Sequence, residues 1–274
     1  MMITMEIYQG IVLGIIQGIT ELLPISSSAH LFLIPWFFKW TIPEAFDIAL
    51  HFGTLLAIGL FFFKDWVNLI RGGYKLAIKK EKSTEGKMFW YIVIATIPGG
   101  IIGFILDKYA EELLTQPLII AIALIVMGTI LYIVDKIAKK ETEYENLDLK
   151  QTFLIGLSQA LAFIPGVSRS GVTMTTGRLL GVKREAVARY SFMLSAPIVL
   201  AATVFKLKDF IEYFLYTNLT GIIAFVIGVL VSFIVGIMVI KFLLEYLRKG
   251  SFKIFAIYRI VIGVIVIMWY VITI

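Results

Sequence analysis

Cysteine is absent from this chain of 274 residues, and histidine occurs only at His30 and His51. The absence of cysteine excludes disulfide frameworks, thiolate zinc sites and cysteine nucleophiles. Two histidines argue against a multi-histidine metal centre. Charged residues are also scarce, because they make up 16% of the chain, where an average soluble domain has about 25%. This shortage argues against a soluble globular protein.

Hydrophobic residues, by contrast, make up 59% of the chain. A helix needs about 20 apolar residues to cross the hydrocarbon core of a bilayer. The sequence predicts six such spans, at about 44–63, 88–106, 116–135, 185–205, 216–240 and 254–273. We therefore expect an all-α integral membrane protein. The net charge of +6 is interpreted as the positive bias of cytoplasmic loops, and no nucleic-acid partner is predicted.

Two further apolar segments, 7–38 and 151–180, are interrupted near their middles. Each is interpreted as two half-helices that meet at a break, which makes a re-entrant pair. Each half of the chain then holds one broken pair followed by three spans. An offset of 142 carries Gly14 and Gln17 onto Gly156 and Gln159, and an offset of 141 carries Ser27 onto Ser168. The chain is predicted to form a single membrane domain over 1–274, built from two repeats at about 1–140 and 150–274.

An odd number of spans in each half predicts that the second half lies upside down relative to the first. Loop 64–87 has seven Lys and Arg against three acids, loop 241–253 has four against one, and loop 107–112 has one against three. The two basic loops are predicted to be cytoplasmic. The first broken pair then enters from the outer side and the second from the inner side. We expect the two breaks to meet near the midplane in a polar internal site.

The first break contains the polar side chains of a candidate site. Gln17 and Glu21 are four residues apart and share one helical face. A carboxylate in an apolar run indicates a functional site, or else a paired structural acid. After Pro24, Ser26–Ser28 lie where a new helix would begin, and capping that helix needs only one serine. If the helix begins there, His30 and Ser27 face the same cavity.

The second break, 165–173, combines a predicted helix N-terminus with Arg169. Free N–H groups, the positive end of the helix dipole and a guanidinium suit an anion such as phosphate. The polar residues of this segment are Ser168, Ser170 and Thr173. The alternative is that Arg169 pairs with Glu21 for structure alone. Both interpretations place the two breaks side by side.

Other charged residues have open or peripheral roles. Asp47 and His51, one turn apart, either line the cavity or pair with each other. Arg259 is either a second phosphate contact or a snorkelling residue. The remaining set is predicted to lie at the cytoplasmic interface, near anionic lipid: Arg178, Lys183 and Arg184.

These motifs resemble the undecaprenyl pyrophosphate phosphatase family of bacteria, also called the bacitracin-resistance family. The resemblance rests on Gln17 to Glu21, on Ser26 to His30 and on Pro165 to Thr173. It implies six spans plus two re-entrant pairs in the bacterial plasma membrane, with the site open to the outer side. It also implies removal of the terminal phosphate of a polyprenyl pyrophosphate lipid, which regenerates the carrier for peptidoglycan synthesis. A homodimer is a further expectation.

The resemblance also implies roles for individual residues. Ser27 is the candidate nucleophile, His30 the general acid or base, and Glu21 a metal ligand or proton acceptor assisted by Gln17. The implied metal is a divalent cation, magnesium or calcium, and glutamine at position 17 removes one negative ligand from it. The implied phosphate-binding residues are Ser26, Ser168, Arg169, Ser170 and Thr173.

A secondary transporter or lipid-phosphate flippase is the competing class, because transporters also bring broken helices together at the midplane. Transport of an anion needs the arginine but neither a nucleophile nor a base. The serines and His30 therefore favour the phosphatase.

Overall fold

The computed structural model of the chain describes residues 5–114, 116–139 and 141–273, without the side chains of residues 104, 106–114 and 273. Over this part of the chain the protein is helical, and the one β-bridge joins Thr142 to Val182. The α-helices are α1 (Ile7–Thr20), α2 (Ser27–Phe38), α3 (Glu44–Phe61), α4 (Phe63–Tyr74), α5 (Thr84–Leu114), α6 (Pro117–Ile137), α7 (Leu149–Ser158), α8 (Arg169–Leu179), α9 (Arg184–Phe205), α10 (Leu207–Tyr216), α11 (Leu219–Leu247) and α12 (Lys253–Thr273). The predicted all-α class is confirmed.

Six of these helices are long and apolar enough to cross a membrane: α3, α5, α6, α9, α11 and α12. Their positions confirm the six predicted spans. The loop predicted at 107–112 is wrong, because the backbone of α5 stays helical to Leu114. The sequence from 104 to 114 consists of leucine, isoleucine, alanine and other residues that tolerate a helix, with neither glycine nor proline to end it.

The two interrupted segments are broken where the sequence predicts. Residues 21–26 separate α1 from α2, and a 3₁₀ turn at Gln159–Phe163 followed by residues 164–168 separates α7 from α8. Helices α2 and α8 each begin after a serine with positive φ, Ser26 at +78° and Ser168 at +73°. Each of these serines accepts a hydrogen bond from the N–H three residues on and shares one of 3.2 Å with the serine two residues on. This geometry matches Ser26, rather than Ser27, to Ser168.

Two short amphipathic helices also have matching places in the halves. Helix α4 follows the span α3 after the single residue Phe62, and α10 follows the span α9 after Lys206. A π-helical turn, Lys75–Lys79, extends α4. The prediction of a plain basic loop over 64–87 was therefore wrong, because a search for apolar runs does not detect a short helix with one polar face. The inverted orientation of the halves remains a prediction.

Helix α1 packs against α11 along a stripe of glycines, Gly10, Gly14 and Gly18. A Cβ atom on Gly14 would lie 2.6 Å from the carbonyl oxygen of Gly228, and one on Gly18 would lie 2.7 Å from Cβ of Val235. The helix axes are therefore close because there is no side chain between them. This contact fixes the first break against α11, the most hydrophobic of the six spans.

A buried ion cluster lies where α6, α8 and α12 meet. Asp135 Oδ1 accepts from Arg178 Nε at 3.1 Å and from Arg184 Nε at 2.7 Å, and Oδ2 accepts from the Phe252 N–H at 3.0 Å. Arg178 is 1% exposed. The prediction that Arg178 contacts lipid headgroups was wrong, because Asp135 holds it inside the protein. Lys183 pairs with Glu143 at 2.9 Å.

Candidate active site

Glu21 joins the two breaks. It follows the last residue of α1, and its carboxylate is buried. Oε1 accepts a hydrogen bond of 2.6 Å from Arg169 Nη2. Oε2 accepts one of 2.5 Å from Ser27 Oγ and a longer one of 3.4 Å from Gln17 Nε2. The expected face shared by Gln17 and Glu21 is therefore present, and one carboxylate contacts both candidate catalytic segments.

Ser27 and Arg169 are the first residues of α2 and α8. The first N–H groups of a helix have no partner within it, so both side chains lie beside unpaired donors. The Arg169 side chain is 14% exposed, and Ser27 is partly exposed. Arg169 Nη1 also donates to the carbonyl oxygen of Ser191 at 3.3 Å. The guanidinium of Arg169 is thus held in place while its side chain remains partly exposed.

His51 belongs to this site, although the sequence left its role open. Its Nε2 lies 3.3 Å from Glu21 Oε2, and its Nδ1 lies 2.7 Å from the backbone carbonyl oxygen of Asp47. Carbonyl and carboxylate oxygens only accept, so His51 donates from both ring nitrogens in this geometry, as an imidazolium does. His51 therefore contacts Glu21 rather than the carboxylate of Asp47. The signal in the sequence was a histidine and an aspartate one turn apart in an apolar helix.

His30 is not brought to Ser27 or Glu21. Its Nδ1 lies 2.7 Å from the carbonyl oxygen of Ser26, and its Nε2 lies 2.8 Å from the hydroxyl of Tyr258 on α12. The two rings are stacked with centroids 5.7 Å apart. His30 is buried. In this geometry the histidine supports the strained turn at Ser26 and leaves the neighbourhood of Glu21 to His51.

Most of the predicted phosphate-binding hydroxyls are used inside the protein. Ser26 and Ser168 cap their helices. Ser170 Oγ donates to the carbonyl oxygen of Leu23 at 3.0 Å, and Thr173 Oγ1 shares a hydrogen bond of 2.7 Å with Ser191 Oγ. All four are at most 5% exposed. They hold Arg169 and the two breaks in position, and Arg169 is the group of this set that is open to a ligand.

Arg259 links the two breaks through hydrogen bonds to both of them. It is fully buried and donates to the carbonyl oxygens of Pro24 at 3.1 Å, Gly166 at 2.7 Å and Val167 at 2.9 Å. A fourth, longer hydrogen bond of 3.4 Å goes to Leu124. The structure thus favours neither of the two predicted roles, since Arg259 satisfies backbone groups that the irregular segments leave without partners.

A cavity of about 450 Å³ lies beside these residues. Its wall is mainly apolar and aromatic, and its polar members include Asp47 and His51. It is lined by Ser28, Leu31, Phe32, Pro35, Trp36, Trp40, Ile42, Asp47, His51 and Pro165. Polar groups next to a charged centre and an aromatic wall suit a ligand with an anionic head and an apolar chain.

Residues 10–265 match the family described as bacitracin resistance protein BacA. The chain belongs to this family. Three curated relatives are each called undecaprenyl-diphosphatase. They come from Pelotomaculum thermopropionicum, at 49% identity over 96% of this chain and 97% of the relative, Caldicellulosiruptor bescii, at 47% over 97% and 98%, and Moorella thermoacetica, at 45% over 96% and 97%. The family expected from the two breaks is confirmed.

Proposed function

We propose that this protein is an integral membrane phosphatase that hydrolyses undecaprenyl pyrophosphate to undecaprenyl phosphate and inorganic phosphate. The observation that carries the proposal is the Glu21 carboxylate, which accepts hydrogen bonds from Ser27 and Arg169 at once. The names of the relatives supply the substrate. Recycling of the lipid carrier for peptidoglycan synthesis, and bacitracin resistance with it, follow from that reaction.

The substrate's diphosphate binds at the facing ends of α2 and α8. Arg169 supplies a planar, permanently charged donor set that matches phosphate oxygens. The N-terminal N–H groups of both helices add partial positive charge at the same point. The polyprenyl chain lies along the aromatic wall formed by Phe32, Trp36 and Trp40. Phosphoryl transfer depends mainly on such positioning and on stabilisation of developing charge.

Ser27 Oγ is the nucleophile in this proposal. Oγ bonds to the terminal phosphorus while the bond from that phosphorus to the bridging oxygen breaks, so undecaprenyl phosphate leaves with the bond's electron pair. The Ser27 proton passes to Glu21 Oε2, to which it is already hydrogen-bonded. Water then attacks the phosphoserine phosphorus while the bond to Oγ breaks, and inorganic phosphate leaves with the protons of the water. Ser27 Oγ keeps the electron pair of that bond and takes back the proton held by Glu21. Direct attack by water, with Glu21 as base, is the competing route.

The two histidines take different parts. His51 holds Glu21 through Nε2 and is itself oriented by the Asp47 carbonyl, so it fixes the carboxylate that receives the proton. His30 holds Ser26, the residue that caps α2 and so sets the position of Ser27. Both act on the reaction through neighbours.

A divalent cation, magnesium or calcium, is part of the proposal. Gln17 is fully buried, and its Oε1 has no hydrogen-bond partner among the residues that the structure describes, which suits an oxygen ligand. The described side chains form no cluster of three or more acids and histidines for a metal, so the diphosphate must supply the remaining ligands. Gln17 and Glu21 would hold the ion, which would neutralise phosphate charge when bound.

We place the protein in the bacterial plasma membrane, with the cavity toward the outer side. The cavity contacts α3 in its first half, at Asp47 and His51, whereas the basic segment 64–87 follows the other end of α3. A cytoplasmic position of that segment therefore directs the cavity outward. A single cysteine at position 82 tests the orientation. An impermeant reagent added outside intact cells should leave it unlabelled, and labelling would reverse the assignment.

The function is tested by phosphate release from a polyprenyl pyrophosphate in detergent. The unmodified chain, Glu21→Ala and Arg169→Ala are each assayed with and without added magnesium or calcium. Thr129→Ala serves as a control, because its exposed hydroxyl is bonded within its own helix, α6. Release that collapses in the two site variants and persists in the control supports the proposal. No release from folded protein under any metal condition refutes it and favours the transporter class.

A further inference from the structure

Helix α4 and its π-helical extension carry two parallel stripes of side chains. Phe63, Ile70, Tyr74 and Ile78 form an apolar stripe, and each is more than half exposed. Lys64, Arg71, Lys75 and Lys79 follow one residue later with identical spacing, and all four are exposed. Separations of seven and eleven residues are nearly whole numbers of helical turns, so each set occupies one face.

The remaining face of this segment is fixed to the protein. Leu69 is buried, and Gly72 packs so closely that an added Cβ would lie 2.7 Å from the backbone nitrogen of Gly86 on α5. The π-helical turn, closed by the bond from the Lys80 N–H to the Lys75 carbonyl oxygen, widens the helix. With more than four residues per turn, Tyr74 and Ile78 stay aligned, as do Lys75 and Lys79. Both stripes therefore point away from the protein along their whole length.

We propose that this striped segment, α4 with its extension, binds the headgroups of anionic phospholipids. The apolar stripe enters the boundary between headgroups and acyl chains, and the basic stripe beside it meets the phosphates. Segment 63–83 carries six Lys and Arg against two acids. Lys75 Nζ lies 3.6 Å from Glu81 Oε2. A neutral bilayer surface would satisfy the apolar stripe but would leave Lys64, Arg71 and Lys79 without counter-charges among the described residues.

Helix α10 provides an internal comparison. It also follows a span after one residue, and it also exposes large apolar side chains, such as Ile211 and Leu215. Residues 206–217 hold two lysines and two acids, however. Lys208 lies 3.5 Å from Glu212, and Lys206 lies 3.8 Å from Asp209. Helix α10 has the apolar stripe without the excess of positive charge, so it binds the bilayer surface without selecting anionic lipid.

The absence of cysteine makes a direct test available. A donor fluorophore is attached to Asn68→Cys on α4 or to Ile211→Cys on α10, in the otherwise complete chain. The protein is reconstituted into phosphatidylcholine vesicles that contain a trace of acceptor-labelled phosphatidylglycerol or acceptor-labelled phosphatidylcholine. The ratio of energy transfer to the two acceptors measures local enrichment of the anionic lipid. We expect a ratio of about two or more at position 68 and about one at position 211.

Two charge variants distinguish the effect of the basic stripe from the effect of the protein's total charge. K64Q/R71Q/K75Q/K79Q removes the basic stripe, and K241Q/R248Q/K249Q/K253Q removes the same charge from the other basic loop. The proposal requires that the ratio at position 68 fall to about one in the first variant and persist in the second. Equal ratios at positions 68 and 211, or equal loss in both variants, would overturn it. High salt applied to the unmodified sequence, which should abolish the enrichment, provides the same test if the stripe variant fails to fold.

Discussion

Arg169 Nη2 and Glu21 Oε1 lie 2.6 Å apart, although 148 positions separate the two residues in the chain. Each is the main charged group of its break, and each compensates the other's charge where water is scarce. Loss of one partner therefore leaves an uncompensated buried charge. The pair joins the two breaks, and it also lies at the centre of the proposed reaction.

Charge loss at this pair is expected to act on stability and activity together. Glu21→Gln and Arg169→Gln should each lower phosphate release about 10²- to 10³-fold and the free energy of unfolding by about 3–5 kcal/mol. The double variant should be less destabilised than the sum of the two, because neither charge is then left alone. Thermal unfolding in detergent measures this, and additive losses would show that the two residues are not coupled.

The covalent route predicts a specific loss of phosphate release when Ser27 is substituted. Ser27→Ala should lower release at least about 10²-fold, and acid quenching of the unmodified protein with phosphorus-labelled substrate should trap a phosphoserine at position 27. Thr129→Ala should retain activity, because this exposed hydroxyl bonds to the Ile125 carbonyl oxygen of its own helix, α6. Near-normal turnover by Ser27→Ala would favour direct attack by water.

Substitution of the two histidines should affect different properties, kcat in one case and the free energy of unfolding in the other. His51→Gln should lower kcat with little change in unfolding temperature, because His51 is partly exposed and its role is to hold Glu21. His30→Leu should lower the free energy of unfolding by about 1–3 kcal/mol, because it removes the side-chain partner of the buried Ser26 carbonyl and of the Tyr258 hydroxyl. Thermal unfolding and kcat are measured on both. The reverse pattern would restore His30 as the acid or base.

Arg259 is expected to be among the most sensitive positions for folding. Arg259→Met removes donors from the carbonyls of Pro24, Gly166 and Val167 at once. We expect a loss of about 3 kcal/mol or more in the free energy of unfolding. Arg248→Met, which breaks only the exposed pair with Glu185, should cost less than about 1 kcal/mol. Comparable losses would mean that Arg259 does not hold the breaks together.

Metal dependence is tested at position 17. Chelation should lower phosphate release, and Gln17→Glu, which adds a negative ligand beside Glu21, should lower the magnesium or calcium concentration needed for half-maximal activity. Gln17→Leu should raise it. A metal response that is identical in all three proteins would remove Gln17 from the ion's ligands.

The sequence was sufficient for the parts of the fold that depend on length and hydropathy. A span needs about 20 apolar residues, so all six were predictable, and Pro24 and Pro165 located the breaks. Contacts between distant side chains were harder to predict, because they depend on which side chains the fold brings together. Glu21 with Arg169 was foreseen as one alternative, whereas the contact of His51 with Glu21 and the burial of Arg178 by Asp135 required the tertiary structure. The alignment of Ser26 with Ser168 also required the tertiary structure, because the two residues share a backbone conformation that the sequence does not reveal.

The glycine stripe of α1 has a mechanical consequence. The backbone of α1 packs directly on the backbone of α11 at Gly10 and Gly14, and on the Val235 side chain at Gly18, so the two helices are in close contact along this stripe. We therefore expect α1 to move together with α11, so that the Glu21 carboxylate keeps a constant position relative to that span. We therefore expect the opening that admits a lipid to occur at a seam other than the one between α1 and α11.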